Sequence, residues 1–202
     1  MINKIKEAPR GQGRGKLFVL SASSGTGKTT LARELAAEDH NIVISVSCTT
    51  RLPRPNERDG ADYFFLSNKD FSKKKKSGGF LEWANVFGSS YGTPSDVVEK
   101  NLKSGKDVLL VIDVQGAKQV RKTVPEAVFI FLSPPSIAEL KRRLEKRGTD
   151  SGAEIRKRLK VAVEELEALN ELYLFDYRVV NRDLLKAKKV LKGIVDAERI
   201  IG

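Results

Sequence analysis

The 202-residue sequence predicts an α/β fold: a three-layer phosphate-loop core with a parallel sheet and helices on both faces, an inserted α+β lobe and a mobile lid. Three observations predict it. Short apolar runs stopped by Ser and Gly alternate with amphipathic helical stretches, the pattern of strands buried on both faces. A glycine-rich loop, SASSGTGKTT, joins the first run to the first helical stretch. The alternation lapses twice, between residues 48 and 92 and around 147–152.

The elements follow in chain order. LFVLSA (17–22) reads as the first buried strand, and TTLARELAAED behind it pairs Leu31 with Leu35 and Ala32 with Ala36 on one helical stripe. IVISVS (42–47), DVLLVI (107–112), AVFIFLS (127–133) and YRVV (177–180) read as the other core strands. QGAKQVRKTV and SIAELKRRLEKR supply helices between them, and DLLKAKKVLKGIVDAERI closes the chain with Leu184, Leu191, Ile194 and Val195 on a common face. Strands and helices in this alternation build a parallel sheet. In the first interruption, YFFL (63–66) and FLEWANVF (80–87) flank a short helix at SNKDF, with Ser67 and Asp70 in capping-box positions. In the second, the polar RGTDSG precedes a helix carrying Ile155, Leu159, Ala162, Val163, Leu166 and Leu169, which suits a lid. The predicted organisation is a basic tail over 1–16, a core over 17–47, 93–142 and 154–202, a lobe over 48–92 and a lid over 143–153.

Composition narrows the function classes. A hydrophobic content of 40% suits one globular core. No apolar run approaches the roughly 18 residues of a membrane span, and the N-terminal stretch has no secretory apolar block, so a cytoplasmic location is expected. Cys48 is the only cysteine, which excludes an intramolecular disulfide. The net charge of +11 calls for a polyanionic partner, either nucleic acid or phosphorylated small molecules. Part of it lies in KKKK at 73–76, read as the solvated end of a helix rather than a nucleic-acid patch.

Residues 22–29 match G-x-x-x-x-G-K-[ST] except at the first position, where Ala22 stands. The stretch lies where such a loop must lie, after a buried strand and at the start of a helix, with backbone N–H groups and the helix dipole facing a ligand. Gly25 and Gly27 let the loop curl, Lys28 is placed to bridge the β- and γ-phosphates of a nucleotide, and Thr29 offers a hydroxyl to Mg²⁺. Such a loop specifies the phosphate donor and leaves the acceptor open.

The lobe carries the acceptor signal. Arg51 and Arg54 leave the second strand three residues apart on a proline-stiffened turn, and two planar forks suit one dianionic phosphate. Tyr63 and Tyr91 read as phosphate-binding hydroxyls or as core tyrosines. Glu82 alternates with Leu81 and Trp83, so its carboxylate can project into a cleft and accept from the N1–H and 2-amino groups of guanine. Adenine offers no such pair.

SASSGTGKTT, SVSCTTRLPRPNE, GADYFF, FLEWANVFGSSYGT, IDVQGA, FLSPPS, RRLEKRGT, IRKRL and VVN together resemble the guanylate kinases, in that family's order, along almost the whole chain from residue 16. The resemblance implies transfer of the γ-phosphoryl group of ATP to GMP, with Mg²⁺, and with dGMP as a further acceptor. It implies ATP contacts from Ala22, Ser23, Ser24, Gly25, Thr26, Gly27, Lys28, Thr29 and Asn181. It places guanine at Ser47, Glu82 and Thr93, and the GMP phosphate at Arg51, Arg54, Tyr63 and Tyr91, with Asp113 in the GMP-binding set. Lys28, Arg51 and the lid-side Arg143, Arg147 and Arg158 are the implied catalytic residues.

Three departures stand out. Val111 replaces the first acid of the family's Asp-x-Asp, Ser90 a frequent tyrosine, and Arg182 an aspartate. Other readings of the same residues are a catalytically silent scaffold module, a nucleic-acid-stimulated NTPase and a kinase of another small acceptor. Monomer and homo-oligomer both remain open.

Overall fold

The computed structural model describes residues 13–23, 25–86, 88–148, 151–168 and 174–201. Most of the expected tail, Ser24, Phe87, residues 149–150 of the lid and Leu169 lie outside the described residues.

The main sheet is parallel throughout, in the order β2 (Ile42–Ile44), β7 (Asp107–Ile112), β1 (Leu17–Ala22), β8 (Val128–Ser133), β9 (Tyr177–Val180). Its central strand, β1, is buried along its whole length, and the two-residue period of the backbone divides its side chains between two cores. Phe18, Leu20 and Ala22 pack with Leu31, Ala32 and Leu35 of α1 (Lys28–Glu38) and with Ala187, Leu191 and Val195 of α7 (Leu184–Ile201). Leu17 and Val19 pack on the other face with Val98 and Leu102 of α3 (Ser95–Lys103) and Ala117 and Val120 of α4 (Val114–Thr123). Helix α3 is absent from the sequence reading, although Val98 and Leu102 stand one helical turn apart.

The expected second strand, 42–47, is strand only over its first three residues. β2 ends at Ile44; Ser45 N–H still donates to Leu109 O at 3.1 Å, and by Cys48 the chain has entered a second sheet as β3 (Cys48–Thr49). Ile42 is buried and Val43 and Ile44 are half-buried, and the hydrogen-bond partners change between Ile44 and Cys48. This sheet has the order β4 (Phe64–Phe65), β3, β6 (Ser89–Pro94), β5 (Phe80–Val86), with β6 antiparallel to both neighbours. The connecting helix α2 (Asn68–Lys76) starts where expected, with Ser67 Oγ accepting from Asp70 N–H at 3.1 Å. It continues through the lysine run, where the Lys75 ammonium sits 3.2 Å from the Trp83 ring centroid.

Two further helices, α5 (Ile137–Arg147) and α6 (Gly152–Ala168), pack through Leu140, Leu144, Ile155 and Ala162. Gly148 ends α5 in the left-handed region at φ 65°, as a glycine C-cap does. Leu109 lies fully buried between α1 and the sheet, so Leu109→Ala is expected to cost about 2–5 kcal/mol, measured by chemical denaturation, without loss of the folded state's secondary structure.

Candidate active site

The site begins where β1 stops. Gly25 and Gly27 hold φ angles of 89° and 93°, open to glycine and strained for other residues. Space requires them as well: a Cβ would meet Leu144 at 2.6 Å from Gly25 and Asn181 Nδ2 at 2.9 Å from Gly27. Inside the loop the buried Thr26 hydroxyl donates to Ser23 O at 2.7 Å, and Asn181 Nδ2 donates to Thr26 O at 2.7 Å. Helix α1 opens without a side-chain cap and with no acid in its first turn, so its N-terminal N–H groups and positive dipole end face an anion.

Lys28 turns inward. Its ammonium donates to Ile112 O at 2.7 Å and lies 3.5 Å from Ala22 O, at the C-terminal ends of two neighbouring strands. Burial lowers its pKa, and the carboxyls of Asp113, Glu165 and Glu82 oppose that shift. Asp113 caps α4, accepting from Gly116 N–H at 2.8 Å. Val111 lies in register with Leu20 and packs against the α1-side core, so the position of the missing acid serves apolar packing.

Glu82 is buried on β5, and Thr93 Oγ1 donates to its Oε1 at 2.6 Å from the paired position on β6. A Cβ on Gly116 would clash with Glu82 Oε2, so α4 approaches this carboxylate as closely as a glycine permits. Burial pushes the Glu82 pKa up to about 7, against the Thr93 hydrogen bond, with Asp113 adding to the rise. The pairing register shifts between Phe80 and Glu82, and the neighbours of Glu82 go to separate places. Leu81 enters the core, and Trp83 exchanges two backbone bonds with Gln119 of α4, at 2.7 and 3.2 Å.

Two residues before Thr93 on β6 stands Tyr91, on the same face and about 7 Å away along the strand. Its hydroxyl accepts from Arg51 Nε at 3.3 Å. The Arg51 guanidinium also lies 5.3 Å from the Tyr63 ring and meets Glu57 through two bonds of 2.9 and 3.0 Å. The lobe strand β6 thus carries a carboxylate pocket at one end and an arginine–tyrosine cluster at the other.

The remaining predicted residues are less gathered. Arg54 is exposed, and its backbone N–H, not its guanidinium, is tied to Glu57; the two arginines do not converge here. Ser47 is half-buried, its carbonyl accepting from Phe64 N–H. Arg143 is held by Glu139 at 2.8 Å and donates to Asn181 O at 2.9 Å, which brings α5 to the strand end that bears Asn181. Arg158 is half-buried on α6; Ser24 and the Arg147 side chain lie outside the described residues. Sequence reasoning passed over Glu57, Gly116 and Glu165, although Glu57 lies three residues beyond Arg54 in a motif it quoted. The Glu165 carboxyl is pushed up by burial, against Ser23 and Lys28.

Thr29 is exposed at the first turn of α1, and among the described residues no group of three His, Cys, Asp or Glu side chains could hold a metal. One hydroxyl beside an anion cradle fits a divalent cation carried by nucleotide phosphates, not a protein-held ion.

The guanylate kinase family profile matches residues 14–198. The guanylate kinase of Thermotoga maritima is 47% identical over 186 residues, 92% of this chain and 88% of that protein. That of Hahella chejuensis is 48% identical over 187 residues, 93% and 88% of the two chains. The crystal structure of guanylate kinase from Anaplasma phagocytophilum superposes with a TM-score of 0.75 at 36% identity, covering 93% of this chain and 87% of that one.

The Glu82 carboxyl predicts a pH signature. The unfolded chain releases this proton near 4.5 and the folded chain near 7, so the folded state binds more protons in between and stability falls as pH rises through that window. Above it the full cost is on the order of 3 kcal/mol. Glu82→Gln removes that slope; urea melts at pH 5 and pH 8 check it, and a slope equal to wild type would refute the burial effect.

Proposed function

The chain belongs to the guanylate kinase family and transfers the γ-phosphoryl group of ATP to GMP, and from that premise we propose which of its residues perform the transfer. The observation that carries the assignment is the arrangement on β6. Thr93 and the buried Glu82 lie two residues from Tyr91, which holds Arg51, and the spacing of about 7 Å suits a nucleotide laid along the strand with its base at one end and its phosphate at the other.

Glu82 and Thr93 read the guanine edge, with Ser47 at the rim. An ionised Glu82 accepts from two adjacent donors, and adenine would leave it buried and unpaired. Asp113 holds the N-terminus of α4 against this pocket and acts through position. Arg51, Tyr63 and Tyr91 bind the phosphate, and the exposed Arg54 joins them when the acceptor is present. Residues Ala22 to Thr29 take the donor phosphates at the start of α1, while Asn181 fixes the loop through Thr26 O and places it against the adenine.

The chemistry asks for positioning and charge more than for a base. The GMP phosphate, with a second pKa near 6, is largely dianionic at neutral pH. One of its oxygens attacks the γ-phosphorus of ATP, the bond to the β–γ bridging oxygen breaks, and ADP leaves with that electron pair. Lys28 stands between the donor loop and the Glu82–Asp113 pocket, so its ammonium balances charge on the transferring group. Arg143, Arg147 and Arg158, on the two helices that meet at the lid, add positive charge and exclude water. The Thr29 hydroxyl would hold Mg²⁺ together with the ATP phosphates, and the ion would supply charge neutralisation there. Both substrates are intracellular nucleotides, and we place the enzyme in the cytoplasm. We extend the acceptor set to dGMP, since no residue assigned here reads the ribose 2′-hydroxyl.

ADP formation with ATP and GMP, dGMP, AMP, UMP or CMP in turn tests the reading: turnover is expected with guanine nucleotides alone and is abolished in Lys28→Ala. Near-normal kcat in that variant would sink the loop assignment. Gly116→Ala, which drives a methyl group into Glu82 Oε2, is expected to raise KM for GMP about tenfold or more while leaving KM for ATP within about twofold. Equal changes in both constants would count against the guanine pocket.

A further inference from the structure

We propose that Glu57 is a positioning residue of the acceptor site, fixing the Arg51 guanidinium against the main chain of Arg54 so that the GMP phosphate meets Arg51 already in place; this rests on the assignment of Arg51 to that phosphate. The local sequence explains how Glu57 gets there. Pro55 and Asn56 stand at the centre of a turn closed by Glu57 N–H to Arg54 O at 3.1 Å. Asn56 has a φ of 71°, the positive-φ non-glycine residue among those described, and Pro followed by Asn at positive φ is the type II turn pattern. The turn reverses the chain and returns the Glu57 carboxylate to Arg51.

That carboxylate makes three hydrogen bonds. Oε2 accepts from Arg51 Nη1 at 2.9 Å and from Arg54 N–H at 2.7 Å, and Oε1 accepts from Arg51 Nη2 at 3.0 Å. One acid therefore ties the guanidinium of the first arginine to the main chain of the second. Leu52 O takes Arg51 Nη1 at 2.7 Å and Tyr91 Oη takes Nε at 3.3 Å, while the guanidinium lies 5.3 and 5.8 Å from the ring centroids of Tyr63 and Phe65. Arg51 is held in plane and in rotation by these contacts. Because Tyr91 Oη accepts from Arg51, its own proton is left to donate, and a phosphate oxygen is the acceptor this site would present.

Electrostatics favours a support over a competitor that the phosphate must expel. Arg51 holds the Glu57 carboxyl below the usual range, and both side chains are largely shielded from water, at 17% and 18% exposure. Expelling Glu57 would strand Arg54 N–H along with the guanidinium. Keeping it costs some attraction for anions in general, since it neutralises one arginine, but holds the remaining donors in one geometry.

Steady-state kinetics on Glu57→Ala and Glu57→Gln, with Arg51→Ala as control, test this. Glu57→Ala is expected to raise KM for GMP about tenfold, the worth of one charge-assisted hydrogen bond, with kcat and KM for ATP within about threefold of wild type. Glu57→Gln, whose amide oxygen still accepts from Arg54 N–H, is expected to fall between, and serves where the alanine variant does not fold. A KM for GMP that falls would show that the carboxylate competes with the phosphate, and an unchanged KM or a parallel rise in KM for ATP would show a merely structural turn; either overturns the proposal. An Arg51→Ala variant with wild-type KM for GMP would instead remove the phosphate-site assignment beneath it.

Discussion

The ammonium of Lys28 resting on the carbonyl of Ile112 joins the two halves of the molecule's chemistry. Lys28 opens the first helix after the glycine loop, and Ile112 ends the strand beside β1. The next residue, Asp113, caps α4; three residues on, Gly116 admits the Glu82 carboxylate; across the lobe sheet, Thr93 bonds Glu82. A continuous physical path thus runs from the glycine loop to the buried Glu82 carboxyl. Every link is short because parallel strands end together at one edge of the sheet, where ligands of open α/β sheets bind.

Around that path, burial and charge are set against each other. Desolvation disfavours the ionised forms of Lys28, Glu82 and Glu165 alike, and the opposite charges draw them back. A buried carboxylate is costly to the fold unless hydrogen-bond donors compensate for its lost water. The fold tolerates that cost because its two large cores lie elsewhere, on the two faces of the main sheet.

Some of the basic side chains are paired on the surface. Lys74 pairs with Asp96 at 3.4 Å, Lys75 covers Trp83, and Lys188 meets Glu34 and Glu38 at 3.5 and 2.6 Å. These are surface pairings with small individual worth. Val111 is partly buried against the α1-side core.

The amino-acid sequence by itself determined most of the core elements and the position of the glycine loop. The strands at 17–22 and 107–112 were readable to the residue, because buried parallel strands are largely continuous apolar runs bounded by polar residues. The loop was readable as a motif because its glycines, lysine and threonine lie close together in the chain between a strand and a helix. Tertiary structure alone decided where the apolar run at 42–47 breaks, since a hydrogen-bond partner on another strand carries no local signature. It also decided what holds the acceptor arginines. Glu57 and Gly116 owe their roles to side chains reached only when the lobe sheet and α4 come together. Spacing reveals groups that act along the chain; contacts across it exist only in the folded molecule.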